Sequence, residues 1–194
     1  MSQARGDALN GAGGLAYRLG ESESARRFFE QALDIRRALG DRWGAAMSLN
    51  SLGKVATEYE RDPAAARQYL EESLAILREL GDRQGFALVL GNLGETLHEQ
   101  GEYAAARALC EESLVIQREI GDAYETAQNL YSLGLTTTAM ADHAAARAYL
   151  REGLAIRREM GDRQGLAESL EALAGLSVAV AHASGDREPR ERFE

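Results

Sequence analysis

Three histidines, one cysteine and several neighbouring carboxylates are the residues of this 194-residue chain whose types could do chemistry. Zinc needs four ligands converging from short, fixed spacings. His98, His143 and His182 fall in different stretches of the chain, without ligand spacing to Cys110 or to one another. Cys110 occupies the position that Phe29, Leu70 and Leu150 hold in related stretches, which makes it a core residue. A reactive thiol needs an electropositive, accessible setting instead. His143 stands where Tyr103 does, at a helix start, and reads as a capping or packing residue. Glu71-Glu72 and Glu111-Glu112 recur at a 40-residue interval as part of a solvated helix face, not as an acid/base pair. Gly11-Ala12-Gly13-Gly14 lacks the spacing and the Lys-Ser/Thr of a phosphate loop. No catalytic constellation, metal site or cofactor motif emerges, and the chain reads as a non-enzyme.

What must position any functional surface is a recurring corner. Gly40-Asp41, Gly81-Asp82, Gly121-Asp122 and Gly161-Asp162 are spaced by 41, 40 and 40 residues. Glycine just past a helix takes the left-handed closing conformation, and aspartate caps the free N–H groups of the next helix. Each pair therefore ends one helix and opens another with almost no loop. A smaller break splits each unit: Gly20-Glu21, Gly101-Glu102, Ala141-Asp142, and in the second unit Glu60-Arg61-Asp62-Pro63, one residue longer. That extra residue accounts for the single spacing of 41. Pro63 suits the first turn of a helix, where its missing N–H costs nothing. Each unit then holds two helices of about 17 residues, about 26 Å long at the standard rise.

Apolar residues follow the helical period. Ala87, Leu90, Leu93, Gly94 and Leu97 form one stripe, and Ala106, Leu109, Cys110, Ser113, Leu114 and Ile116 another. Small residues mark close approaches: Gly13, Gly53, Gly94, Gly134 and Ala174 in first helices, Ala25, Ala66, Ala106 and Ala146 in second helices. Repetition at this period points to an array rather than one globular core. Asn92-Leu93-Gly94, Gly101-Glu102-Tyr103, Ala106 and Ser113-Leu114 resemble the tetratricopeptide repeat signature. The 40-residue unit is similar to the longer variety found in kinesin light chains, cell-polarity scaffolds and arrays attached to bacterial ATPase-type regulators. Ala12 replaces leucine in the first unit, and Gly153 stands where alanine or serine is usual. The resemblance implies an all-α, right-handed α-solenoid of stacked antiparallel helix pairs, four full repeats plus a terminal helix. The repeats fall at about 7–40, 41–81, 82–121 and 122–161, with the terminal helix at 162–182 and a disordered tail at 183–194.

First helices line the concave side of such stacks. Residues of first helices outside the packing stripe then form a peptide-binding groove. They are Trp43, Met47, Asn50 and Lys54 in the second unit, and Gln84, Leu88, Asn92, Glu95 and His98 in the third. The fourth adds Tyr124, Gln128, Tyr131 and Leu135, and the terminal helix Gln164 and Glu168. Apolar anchors among amides suit a peptide, the former for energy and the latter for its backbone. Trp43 and Tyr124 have a competing role, extending the core against the preceding unit, as do Leu88 and Tyr131. A basic or amphipathic peptide fits the carboxylates best, Lys54 being the sole lysine.

The function implied is a protein-interaction scaffold for a peptide or helical segment. The alternative is a sensor or oligomerisation segment of a larger bacterial signalling ATPase or transcription regulator. A net charge of −9 disfavours RNA or DNA as partner. No apolar run reaches membrane-spanning length, no signal peptide opens the sequence, and a lone cysteine fits the reducing cytoplasm. The terminal helix carries Leu170, Leu173, Leu176, Val178 and Val180, too many for one stripe. Either it self-associates or meets a partner through 164–181, or the chain belongs to a longer array. At the other end, Gly11, Gly13 and Gly14 each lower the helix propensity of the first helix by up to about 1 kcal/mol. That helix should be the least protected; amide hydrogen exchange as slow there as over residues 84–100 would contradict this.

Overall fold

In the computed structural model the described backbone runs from residue 2 to 185, and side chains are described to residue 181. Its helices are α1 (Gln3–Arg18), α2 (Ser22–Leu39), α3 (Arg42–Val55), α4 (Pro63–Leu80), α5 (Arg83–Glu99), α6 (Tyr103–Ile120), α7 (Ala123–Ala139), α8 (His143–Met160) and α9 (Arg163–Gly185). No strand occurs among the described residues. The first helix thus starts four residues earlier than the spacing suggested. Residues 183–185, expected to be disordered tail, belong to α9, and 186–194 lie outside the described residues.

The corners form as their chemistry dictates. Gly40, Gly81, Gly121 and Gly161 have φ of 70°, 69°, 81° and 71°. Asp41, Asp82, Asp122 and Asp162 each accept the N–H three residues on, at 2.9, 3.1, 3.1 and 3.0 Å. The extra residue of the second unit is absorbed as a π turn, Ala56–Glu60, that prolongs α3. The N–H of Asp62 reaches back six residues to the Ala56 carbonyl at 2.9 Å, whereas that of Glu102 reaches back five, to Leu97, at the same distance. An insertion that would otherwise rotate everything after it is thereby confined to one turn.

The chain divides into two compact units, Met1–Gly121 with α1–α6 and Asp122–Glu194 with α7–α9. In the first, Ala16, Ala25, Phe29, Leu33, Ala45, Leu49, Leu52 and Val55 form one core cluster. Ala46, Leu70, Leu77, Val89 and Leu93 form the next. In the second unit Ala146, Leu150 and Leu176 form the cluster between α8 and the helices beside it.

Each helix pair closes on a glycine. A β-carbon placed on Gly13 would lie 2.6 Å from the Phe29 ring, on Gly53 2.7 Å from Leu70, and on Gly94 2.4 Å from the Cys110 sulfur. On Gly134 it would lie 2.4 Å from Leu150. Gly14, by contrast, has open space where its β-carbon would be. Two glycine substitutions in first helices should therefore have opposite signs. Gly134→Val should lower stability by about 2 kcal/mol through overpacking, and Gly14→Ala should raise it by about 0.5–1 kcal/mol through helix propensity. Urea denaturation of the two variants checks both.

Candidate functional site

In the first unit α3 and α5 carry most of the expected groove. Asn92 donates from its amide to Asn50 Oδ1 at 2.7 Å, and the Thr57 and Thr96 hydroxyls meet at 2.9 Å. Lys54, Thr57, Glu58, Leu70, Asn92 and Glu95 line a hollow of about 10 Å³, the room one water takes. Met47, Leu88, Asn92, Glu95 and His98 are half-buried and Gln84 is exposed, so these side chains keep a surface toward solvent. Asn50 does not: it is only 5 % exposed, and it acts from beneath, by holding Asn92.

Trp43 also departs from the expected role. Its ring is 53 % exposed, yet its indole N–H donates to Asp82 Oδ2 at 2.8 Å. The other oxygen of Asp82 caps α5 through Gly85. Trp43 thus braces the next corner, and its placement reflects that bond more than any ligand. His98 packs against Tyr103, ring centroids 5.3 Å apart. Burial holds its pKa below the ordinary histidine value, which favours the neutral ring.

A cluster that spacing alone missed lies beside this face. Tyr17 donates its hydroxyl to Glu58, and Tyr59 donates to the Tyr17 carbonyl at 2.8 Å. The two rings meet edge to face at 5.3 Å. The Lys54 ammonium sits 5.4 Å over the Tyr17 ring and 3.9 Å from Glu58. Burial first, and the Glu58 carboxylate second, raise the Tyr17 pKa above that of free tyrosine, so it stays a donor. The Lys54–Glu58 spacing of four was the one sequence signal for it. Glu58 and Tyr59 belong to the π turn, and no periodicity foretells that turn.

In the second unit Tyr124 is 52 % exposed on the first turn of α7. Gln128, Tyr131 and Glu168 converge on one buried cation, Arg157, only 1 % exposed. Arg157 donates to the Gly165 carbonyl at 2.6 Å, to the Ser169 hydroxyl at 2.9 Å, and to Gln128. Glu168 lies 3.4 Å away, and the guanidinium stacks 4.9 Å over the Tyr131 ring. Tyr131 is half-buried on the Ala146–Leu150–Leu176 cluster, so it is part core and part surface. Leu135 is half-buried, and Gln164 is exposed, donating to Glu168 at 3.1 Å. Arg36 repeats the arrangement in the first unit, with Asp7, Asn10, Gly44 and Ser48 as its partners.

Reactive groups are not gathered anywhere among the described residues. Cys110 is buried, its thiol pushed up to about 12 by burial, and no cluster there could hold a metal. His182 lies outside the described side chains. No described helix is long and apolar enough to cross a membrane.

The tetratricopeptide repeat model matches residues 5–79 and 85–159, more than half of the chain. The chain belongs to the tetratricopeptide repeat family. No curated protein matches it at the level of sequence. Solved structures match in fold. BtubC (BKLC) from P. vanneervenii is 24 % identical, with 80 % of this chain and 64 % of that one covered and a TM-score of 0.69. A Rap protein complexed with competence and sporulation factor is 17 % identical over 93 % of this chain and 56 % of that one, TM-score 0.75. Kinesin light chain repeats from Podosopora anserina are 16 % identical over 96 % and 92 %, TM-score 0.73. The chain spans less than two thirds of the first two. As a tetratricopeptide array it is an all-α protein of stacked helix pairs, of the helical-repeat kind that scaffolds protein interactions.

Arg157 generates a test of what holds the fourth-unit corner. Leu77 stands at the same position of the second repeat, so an apolar side chain is tolerated at this place in the repeat. Both Arg157→Met and Arg157→Ala strand the Gly165, Ser169 and Gln128 acceptors, and only alanine also leaves a cavity, so Arg157→Ala should cost about 2 kcal/mol more than Arg157→Met. Thermal denaturation separates the two.

Proposed function

We propose that the chain is a non-enzymatic scaffold that binds a peptide or helical segment of another protein along the outward face of its first helices. The observation that carries this reading is the mixture of half-open apolar side chains and amides there. Met47 on α3 and Leu88 on α5, the helix of Asn92, are half-buried in the first unit, and Tyr124, Tyr131 and Leu135 share α7 with Gln128 in the second. Rings and branched side chains supply the anchoring energy, while Asn92, which gives only one of its N–H groups to Asn50, keeps capacity for a peptide backbone. Membership of the repeat family supports the reading, and so does the Rap complex named above.

The ligand class follows from charge. Glu58, Glu95 and Glu168 stand among these residues, and the available cations are already engaged: Lys54 with Glu58, Arg157 with Glu168. A basic, amphipathic peptide complements such a surface, and an acidic one meets repulsion. The reducing cytoplasm suits a chain with a single, buried cysteine.

The test uses peptides of about 18 residues selected from a random library for binding to the full chain. Selected sequences should be basic and amphipathic. Leu88→Glu combined with Tyr124→Ala should weaken their binding by about 30-fold or more while circular dichroism stays unchanged. These two positions are cleaner than Trp43 and Tyr131, which also brace Asp82 and Arg157. Selected peptides that bind the double variant as tightly as the parent chain would place recognition elsewhere.

A further inference from the structure

One flank of α9 is left open in a way no other first helix is. Leu170 is 56 % exposed, whereas Leu49, Leu90 and Leu130 at the same repeat position are 1, 3 and 0 % exposed. Ala167, Ala174 and Ser177 are exposed on the same flank. Ala174 corresponds to Gly53, Gly94 and Gly134, whose missing side chains receive Leu70, Cys110 and Leu150 from the second helix of the pair. The chain therefore displays repeatedly what kind of segment such a flank accepts: a helix that enters the small residue with one apolar side chain.

Charge sharpens the description. Arg158, at the end of α8, and Arg163, at the start of α9, are exposed and form no ion pair among the described residues. Arg37, Arg42 and Arg83, at the corresponding positions of earlier repeats, are paired, whereas Arg78 lies over the Phe86 ring. Arg37 meets Glu72 at 2.6 Å, and Arg42 meets Glu79. Both of these glutamates belong to α4, the helix that covers α3. They are seven residues apart, two helical turns, so they flank one side of the seam made by Ala66, Leu70, Ser73 and Leu77. One incoming helix with that pattern would satisfy both arginines and bury Leu170 together.

We propose that the open flank of α9, framed by Arg158 and Arg163, docks an acidic amphipathic helix of a partner protein. Its recognition elements are an apolar residue entering at Ala174 and two carboxylates seven residues apart. A second copy of α9 fits less well, because α9 carries no pair of carboxylates at that spacing. The surface lies on the packing flank of α9 rather than on the groove face, and the proposal does not rest on the groove reading. Partner selection differs too: this flank takes an acidic helix, the groove a basic peptide.

The experiment titrates the full chain into a fluorescein-labelled peptide of residues 63–80, the 18-residue α4 sequence, and follows anisotropy. Saturable binding is expected, weakened about tenfold by Arg158→Glu with Arg163→Glu, as the loss of two ion pairs and the gain of two like-charge contacts implies. A peptide carrying Glu72→Arg and Glu79→Arg should recover binding to that charge-reversed chain. Leu170→Glu should abolish binding without lowering the melting temperature, since Leu170 is exposed, and Leu88→Glu should leave it unchanged. Absence of binding, or equal binding to the charge-reversed chain, overturns the proposal. So does a concentration-dependent dimer dispersed by Leu170→Glu, which would assign the flank to a second copy. Binding that appears only after removal of residues 186–194 would assign it to the chain's own C-terminal segment, and overturns it equally.

Discussion

The distance between the two helices of each pair is the constraint from which the rest follows, and a single absent side chain sets it. Phe29, Leu70, Cys110 and Leu150 occupy the space that side chains on Gly13, Gly53, Gly94 and Gly134 would need. With that approach fixed, the backbones come near enough for direct polar contact. Ser73 donates to the Ala46 carbonyl at 2.8 Å, and Ser113 to the Ala87 carbonyl at 2.6 Å, both fully buried. Gly153 holds the equivalent place on α8. A β-carbon there would lie 3.3 Å from Leu130 Cβ and 3.4 Å from the Ala127 carbonyl, so it fits only if its neighbours give by a few tenths of an ångström. The fourth pair thus does without the hydrogen bond that serine supplies in the second and third.

Close pairs need abrupt corners, because a long loop would let the next helix drift in register. A glycine in the left-handed region closes one helix, and an aspartate turns its carboxylate back onto the next. The corners then become positions from which other groups are held. Asp82 uses one oxygen to cap α5 and the other to fix the Trp43 indole. Arg36 and Arg157 donate to the carbonyls of Gly44 and Gly165, in the first turn after the corner. At Gly44 and Gly165 a β-carbon would lie 2.7 Å from the arginine Nε, so a short residue after the corner admits the buried cation. Placing a charge so deep is costly unless its N–H groups are satisfied. Serine, asparagine or glutamine, and a carboxylate attend its terminal nitrogens, while Nε has no hydrogen-bond partner among the described residues, Asp41 and Asp162 lying 3.8 and 4.0 Å from it.

The corners, the stripes and the close-approach glycines were legible in the sequence because each is a local rule with a fixed residue type. Helix ends need particular caps, and helix pairs need particular gaps. The π turn was visible only as one surplus residue. Where that residue would be absorbed depends on whether the helix or the loop yields, and the Asp62 hydrogen bond to Ala56 shows that the helix did. Periodicity also says which face a residue is on without saying what it touches. Asn50 and Asn92 share a face by spacing, yet one is buried as support for the other. Trp43 reads as a surface anchor by spacing, and a bond to a carboxylate 39 residues away decides its position. The cation over Tyr131 was hidden for a different reason. Arginine at the end of a helix ordinarily reads as solvated, and only its equivalence to the buried Leu77 signals that it points inward.

That equivalence shows how a buried position of the array is coupled to its outward face. One buried position carries Arg36, Leu77, Gln117 and Arg157 in successive units. The repeat thus tolerates a charge, an apolar chain or an amide there, the Gln117 amide even without a hydrogen-bond partner among the described residues. Leu77 needs only packing. Arg157 needs several polar neighbours, and the same Gln128, Tyr131 and Glu168 that attend it stand on the outward face of α7 and α9. In the second unit of the fold the support for the fold and the candidate recognition surface are therefore made of the same side chains. Tyr131 and Gln128 are held in place by the buried cation, a pre-organisation that would lessen the side-chain entropy lost on binding. In α3 and α5 the support comes from Asn50 and the Tyr17–Glu58 cluster instead, with Leu88 left half-open above the core. Different buried anchors thus prepare similar outward faces, which is how a repeat can vary its interior and still present rings, branched chains and amides in each unit.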